Sequence, residues 1–209
     1  MRNQYAFVNG SFLRADTASV SVFDRGFLYG DSVFETMAAK NGIIFRLDDH
    51  VDRLYESAEK MKFARMPGRT EVVSAAKGVL KKNRIDGACV RITVTRGTGK
   101  PGFLPQKSMT PSVVVAALPI PRLPRRFYER GVDAITAKTR RTPSECLDPS
   151  AKAGNCLNGI LAKLEAAEAG AFEAIMLNTA GYVSEASAAN VFFLEKGALK
   201  TPSVDCGLL

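Results

Sequence analysis

The sequence predicts an α+β fold in two lobes. Strand-like and helix-like patterns follow one another in mixed order, without the strict βα alternation of a doubly wound sheet. Asn9-Gly10 and Asn41-Gly42 each sit between apolar runs and mark hairpin turns. The stretch "LPIPRLPRR" divides an N-terminal lobe, residues 1–120, from residues 121–209, because repeated prolines deny backbone donors to sheet and helix alike.

The elements follow in order. "YAFVNGSFL" reads as a hairpin, and "ASVSVFD" alternates like a strand. "SVFETMAA" is a further strand that turns through Asn41-Gly42 into "IIFRL". From Asp48 the period changes: Leu47, Val51, Leu54, Ala58 and Met61 recur at the spacing of one helix face. A second helix covers about 70–82, ending before Asn83. "ACVRITVTRG" and "PSVVVAALPI" are strands joined by the Gly/Pro loop "GTGKPGFLPQKSMT". Past the prolines, "GVDAITAKT" is a strand and 155–169 a helix closed by Gly170. Leu157, Ile160, Leu161 and Leu164 give that helix the stripe expected to be buried, with Lys163 and Glu165 off its centre. "FEAIMLN", a turn at "TAG", "YVSEA" and "NVFFLEKGALKTP" complete the chain.

With 46% hydrophobic and 24% charged residues, the 209-residue chain has the balance of a soluble protein with a packed core. No apolar run approaches the roughly 20 residues of a membrane helix. The start, "MRNQYAFVNGSF", is too polar for a secretory signal, so a cytoplasmic protein without a membrane partner is expected. Cys89, Cys146, Cys156 and Cys206 are scattered, and His50 is the single histidine. A Cys/His zinc site would therefore need an unusual ligand set, and reduced structural thiols are expected. The net charge of +8 favours anionic partners. The basic clusters at 81–84, 121–126 and 138–141 lack interleaved aromatics, so they read as solvated faces and no nucleic-acid partner is expected.

Three residues invite chemistry. Lys152 lies between Ala151 and Ala153 just before a helix, where small neighbours would let a planar group approach. An amine there can be a covalent catalyst when its charge is suppressed, although a lysine before a helix is most simply a solvated one. Glu185 sits in "GYVSEASAANVFF", next to small residues whose backbone N–H groups could hold phosphate. A carboxylate in that place calls for a protonated partner, and a hairpin-end glutamate in water is the plainer reading. Arg53 flanks the apolar stripe of the 47–62 helix on the side of Arg46 and His50, and its fork suits phosphate. A surface ion pair with Asp49 or Glu56 is the alternative.

Together, "FDRGFLYGDSVFET", "FRLDDHVDRL", "KAGNCLNGILAKLEA" and "GYVSEASAANVFF" resemble, in order and spacing, the signatures of the class IV aminotransferases. These are the fold-type IV pyridoxal-phosphate enzymes: branched-chain aminotransferases, D-amino acid aminotransferases and aminodeoxychorismate lyases. The resemblance implies the two-domain fold of that group and pyridoxal 5'-phosphate as cofactor. It implies that Lys152 holds the cofactor as a Schiff base and moves the substrate's α-proton. Glu185 would pair with the pyridine nitrogen, Arg53 with the phosphate, and Ser187 and Ala188 would lie on the phosphate-contacting loop. Cys156 would take a cofactor-side position where many relatives carry tyrosine. Tyr29 and Phe34 would line the substrate side, and the Thr95–Gly99 loop, with Arg96, Thr98 and Gly99, would reach the substrate carboxylate. A homodimer is implied as well.

"RGTGKPGFLP" lacks the Arg-x-His of the D-amino acid enzymes, and Phe34 replaces their tyrosine. The same loop is closer to the lyase pattern, with Phe103 in its aromatic position, whereas "IFRLDDHVDRL" and "NGILAKLEA" fit the aminotransferase branches. The expected activity is transfer of an amino group between a branched-chain-like amino acid and a 2-oxo acid. The alternatives are release of 4-aminobenzoate and pyruvate from aminodeoxychorismate, and a truncated, non-catalytic relative. The last rests on "TPSVDCGLL", which stops where the resemblance places a second phosphate-binding turn, so 121–209 is expected to be the first part of a larger C-terminal domain.

Overall fold

The computed structural model describes residues 4–209; residues 1–3, the start of the segment read as too polar for a secretory signal, lie outside the described part. The chain divides into two compact units. One runs up to Pro121 and includes Lys152–Gly154, and the other comprises Arg122–Ala151 and Asn155–Leu209.

In the first unit, β1 (Tyr5–Val8) and β2 (Ser11–Arg14) are followed by the short helix α1 (Arg25–Tyr29), then β3 (Ser32–Lys40) and β4 (Ile43–Ile44). Helices α2 (Leu47–Lys60) and α3 (Arg69–Asn83) precede β5 (Gly87–Thr95) and β6 (Ser112–Leu118). The strands form one antiparallel sheet in the order β2-β1-β6-β5-β3-β4. Asn9 and Gly10 have φ of 46° and 89°, and Asn41 and Gly42 have 52° and 74°. Those left-handed pairs are what a two-residue turn needs to match the strand twist. Both helices lie on one sheet face: Val33 and Met37 of β3, Val90, Ile92 and Val94 of β5, and Val115 of β6 meet Val51, Leu54, Val72 and Val79. Each such side chain contributes about 1.5–3 kcal/mol on burial. The stripe expected on α2 is the buried one, with Met61 packed at the rim.

Two stretches of the first unit depart from the sequence reading. Residues 18–24 form no strand, and Val20, Val22 and Phe23 are exposed. Alternation alone cannot make a strand where neither face meets a core. Instead Asp24, 1% exposed, caps α1 through Gly26 N and accepts from the hydroxyls of Thr95 and Ser112. Helix α1 itself is too short to show a period, and ends on Gly30 in the left-handed region.

Just past α1, two arginines converge on one carboxylate. Arg25 Nε lies 2.7 Å and Arg96 Nε 2.8 Å from Asp31 Oδ2, with all three side chains largely buried. Burial opposes ionisation of Asp31, but the hydrogen bonds and charges of Arg96 and Arg25 outweigh it and hold its pKa below the ordinary carboxylate value.

The second unit contains α4 (Arg125–Arg130), β7 (Ala134–Thr136), α5 (Leu157–Glu168), β8 (Glu173–Leu177), β9 (Val183–Ala186) and the hairpin β10 (Phe193–Glu195) and β11 (Ala198–Lys200). A single 3-10 turn follows at Val204–Cys206. Strand β8 is central, parallel to β7 and antiparallel to β9, with a bulge between Ile175 and Leu177. Helix α4 was hidden by the prolines that mark the boundary; Pro124 stands at its N-cap.

The stripe expected to be buried on α5 is not. Leu157, Ile160, Leu161 and Leu164 are 45–59% exposed, whereas Ala162 and Ala166 are fully buried with Ala137, Ala174 and Met176. Small residues face β8 because the helix lies close against its neighbours: a Cβ on Gly159 would sit 2.3 Å from the Ser187 carbonyl oxygen. Glu165, beside that inner face, accepts from Lys138 N, Thr139 N and the Thr139 hydroxyl, binding α5 to the segment after β7.

Two outcomes follow. Since the folded Asp31 pKa is depressed, its stabilisation is complete above the unfolded value of about 3.9 and is lost as pH falls through the lower folded value. Denaturant titrations should show stability falling below that point, and Asp31→Asn should flatten this part of the profile. Gly159→Ala should cost about 1–3 kcal/mol by overpacking, read as a lowered thermal midpoint with unchanged far-UV circular dichroism.

Candidate active site

Lys152 belongs, by its contacts, to the sheet of the first unit. Residues 152–154 run antiparallel beside the start of β3, with a bridge between Val33 and Ala153. Phe34 N donates to the Lys152 carbonyl (3.0 Å), Gly154 N donates to the Ser32 carbonyl (2.7 Å), and Lys152 N donates to Ser57 Oγ on α2 (3.0 Å). Ser57 is fully buried. The backbone of Lys152 is thus held on both sides while its side chain remains half-buried. The small residues here serve the strap itself: a Cβ on Gly154 would lie 2.1 Å from Ser32 Oγ and 3.4 Å from the Gly30 carbonyl oxygen. This is a use for Gly154 that differs from clearing space for a planar ligand.

The Lys152 amine lies 4.9 Å from the centroid of the Phe34 ring, and the Arg91 guanidinium lies 3.8 Å from the same ring. Phe34 pairs with Thr93 and Thr36 with Arg91, which puts Phe34 and Arg91 on the sheet face away from the helices. Arg91 was missed in the sequence; its one signal is a charge in the middle of the strand "CVRITVT".

Glu35, the next residue along β3, points the other way. It is fully buried and accepts from Arg53 Nε (2.5 Å), Arg53 Nη2 (2.8 Å) and His50 Nδ1 (2.7 Å). A buried carboxylate requires such pairing. The hydrogen bond to Glu35 holds the Arg53 guanidinium above its ordinary pKa. Neither Asp49 nor Glu56 is its hydrogen-bonding partner, and Asp49 pairs with Arg46 instead. Arg53 remains 41% exposed, so the N–H groups turned away from Glu35 can still meet an anion.

Apart from Phe34 on β3, the residues expected on the substrate side lie on or beside one loop. Tyr29 Oη accepts from Gly102 N (3.0 Å), and its ring packs edge-on to Phe103 at 5.7 Å. Thr98 is exposed and bridges to Asp24; Gly99 is half-buried, and a Cβ there would meet Met109 at 2.7 Å. Every nitrogen of Arg96 is engaged: Nε on Asp31, Nη1 on the Lys62 carbonyl and Nη2 on the Met61 carbonyl, with the guanidinium over Phe63.

In the second unit, Glu185 is 8% exposed and meets two partners: Arg141 Nη2 (2.9 Å) and the backbone N–H of Leu209 (3.1 Å). Arg141 also donates from Nε to the Gly207 carbonyl. Arg141, unrecognised within "KTRR", is thus the cation that the structure brings to Glu185. Next to it, the Ser184 hydroxyl is buried without a hydrogen-bond partner. Ser187 is committed to β8, its N–H to the Ala174 carbonyl and its hydroxyl to Glu173. Ala188 is exposed, and Cys156 is exposed at the N-cap of α5.

No described helix is long and apolar enough to cross a membrane. The family model for class IV amino-transferases matches residues 32–209. A protein of Methanocaldococcus jannaschii, provisionally named a branched-chain-amino-acid aminotransferase, is 40% identical over 198 residues, 95% of this chain and 68% of its own length. A crystal structure of Escherichia coli branched-chain amino acid aminotransferase superposes with a TM-score of 0.93 at 31% identity, covering 99% of this chain and 70% of that one. A crystal structure of branched-chain aminotransferase from the archaeon Thermoproteus uzoniensis, with norvaline, gives a TM-score of 0.89 at 29% identity, over 99% of this chain and 70% of that one. The chain thus spans about two thirds of the length of these similar proteins. It belongs to the class IV aminotransferase family.

Proposed function

We propose that the chain is the lysine-bearing part of a pyridoxal-phosphate-dependent aminotransferase that acts on branched-chain-like amino acids and 2-oxo acids. The observation that carries this reading is the strap at Lys152. Its backbone is fixed to β3 and to Ser57, so the side chain is carried from a defined point beside Phe34. Lysine fixed in this way, half-buried beside an aromatic ring, suits an amine that must change between bonded and free states.

The donor set suits the cofactor. Arg53 keeps outward N–H groups for a phosphate while Glu35 fixes its orientation. Glu185, held by Arg141, can keep a pyridine nitrogen protonated. With the N–H and hydroxyl of Ser187 already used, the loop would meet a phosphate through other backbone N–H groups, that of Ala188 among them. Cys156 offers only a weak thiol donor where tyrosine would offer a phenol. When bound, pyridoxal phosphate supplies an electron sink for the charge that develops at the substrate Cα. Lys152 then has two tasks: holding the cofactor between turnovers, and taking the proton from the substrate Cα and returning it on the cofactor's side. Tyr29 and Phe34 would flank the substrate. The aminotransferase names of the similar proteins favour transamination over elimination. The reading extends to a homodimer and to amino acid and 2-oxo acid as the partners.

Mixed with pyridoxal phosphate, the chain should gain visible absorbance that leucine discharges and a 2-oxo acid restores. Lys152→Ala should do neither. Turnover by Lys152→Ala, or pyruvate release from aminodeoxychorismate in place of amino transfer, would contradict the proposal. Arg53→Ala should lose stability by up to about 3 kcal/mol, because Glu35 then stays buried with His50 as its remaining side-chain partner. Adding Glu35→Gln should recover much of that loss in urea titrations.

A further inference from the structure

The loop between β5 and β6, residues 96–111, is long and carries little regular structure, yet one buried side chain holds its exposed tip. Phe103 and Leu104 are each 88% exposed, so burial does not fix them. Arg25 does: Nη1 donates to the Gly102 carbonyl (2.6 Å) and Nη2 to the Phe103 carbonyl (3.0 Å). Its Nε is committed to Asp31, which Arg96 shares, and Arg25 itself is 4% exposed. Gripping two successive carbonyls sets the direction of the peptide between them, and hence where the Phe103 and Leu104 side chains project. Gly102 supplies the φ of 131° that this path needs. Tyr29 completes the grip, its hydroxyl accepting from Gly102 N while its ring lies under the Arg25 guanidinium at 4.8 Å. Gly30, the next residue, presents its carbonyl to Gly154 of the lysine strap.

We propose that Arg25 is a positioning residue: it holds the 102–104 tip so that Tyr29 and Phe103 present a fixed apolar wall to the substrate side chain. It touches neither cofactor nor substrate in this role, and acts only through the loop. The substrate part of the proposal rests on Lys152 being the reacting amine; the grip on the loop does not.

The test compares Arg25→Lys, Arg25→Met and Tyr29→Phe in the full chain. Amide hydrogen exchange over residues 98–104 should rise about tenfold or more in Arg25→Met, as expected for loss of a charge-assisted hydrogen bond. It should rise less in Arg25→Lys, which keeps one cationic nitrogen to donate, and in Tyr29→Phe, which loses only the Gly102 contact. Exchange over 152–154 should stay unchanged. With leucine as donor, KM should climb more in Arg25→Met than in Arg25→Lys while kcat changes little, and alanine should be nearly unaffected in both. Unchanged loop exchange in Arg25→Met, or equal KM changes for leucine and alanine, would overturn the positioning role. If Arg25→Met does not fold, Arg25→Lys still decides it by both readouts and Tyr29→Phe by loop exchange. A wild-type chain with no amino transfer but the expected exchange pattern would sink the enzyme reading and leave the grip standing.

Discussion

The hydrogen bonds that hold Lys152–Gly154 against β3 are the constraint on which the rest of the candidate site depends. They bring a residue from far along the chain into the sheet of the first unit, and they do so through the backbone. A side chain carried on a fixed backbone keeps its reach and direction even when its own bonds change. The cost is a packing demand at Gly154, where any Cβ would force Ser32 Oγ to move. Both faces of β3 then become useful. Phe34 meets the lysine on the open face, and Glu35 reaches back among the helices to fix Arg53 and His50.

Buried ion clusters recur through the molecule with a common logic. Glu35 with Arg53 and His50, Asp31 with Arg25 and Arg96, and Glu185 with Arg141 each place a carboxylate where water is scarce and bring a cation to it. Such pairs add little net stability compared with apolar packing, but removing one partner is costly. Their benefit is orientation. Each cluster fixes a group that the proposed chemistry needs in one place: a phosphate-facing arginine, a loop tip, a carboxylate for a ring nitrogen.

Much of this was legible in the sequence, for local reasons. Asn9-Gly10 and Asn41-Gly42 state their turns because few other pairs accept left-handed φ at both central positions. The α2 stripe is legible because large apolar residues face a large core. Helix α5 defeats the same rule. Its large residues point outward and its alanines inward, since closeness to β8 and Ser187 requires small side chains. Periodicity reports that a face exists, without reporting which of two faces the neighbours can accommodate. "ASVSVFD" fails for a related reason: alternation needs a core on one side. The partners Glu35, Arg91 and Arg141 could not be read because they depend on strand register and on segments distant in the chain. Family resemblance singled out Lys152, Arg53 and Glu185 as candidates, but could not tell that Arg96 is spent on Asp31 and two carbonyls.

The central claim is that one lysine, fixed by the strap, is the reacting amine. Borohydride treatment of the chain with pyridoxal phosphate, followed by peptide mass mapping, tests it most directly. A single pyridoxyl-phosphate increment is expected, confined to the peptide that carries Lys152. An increment spread over other lysines, or centred on Lys163 in place of Lys152, would contradict it.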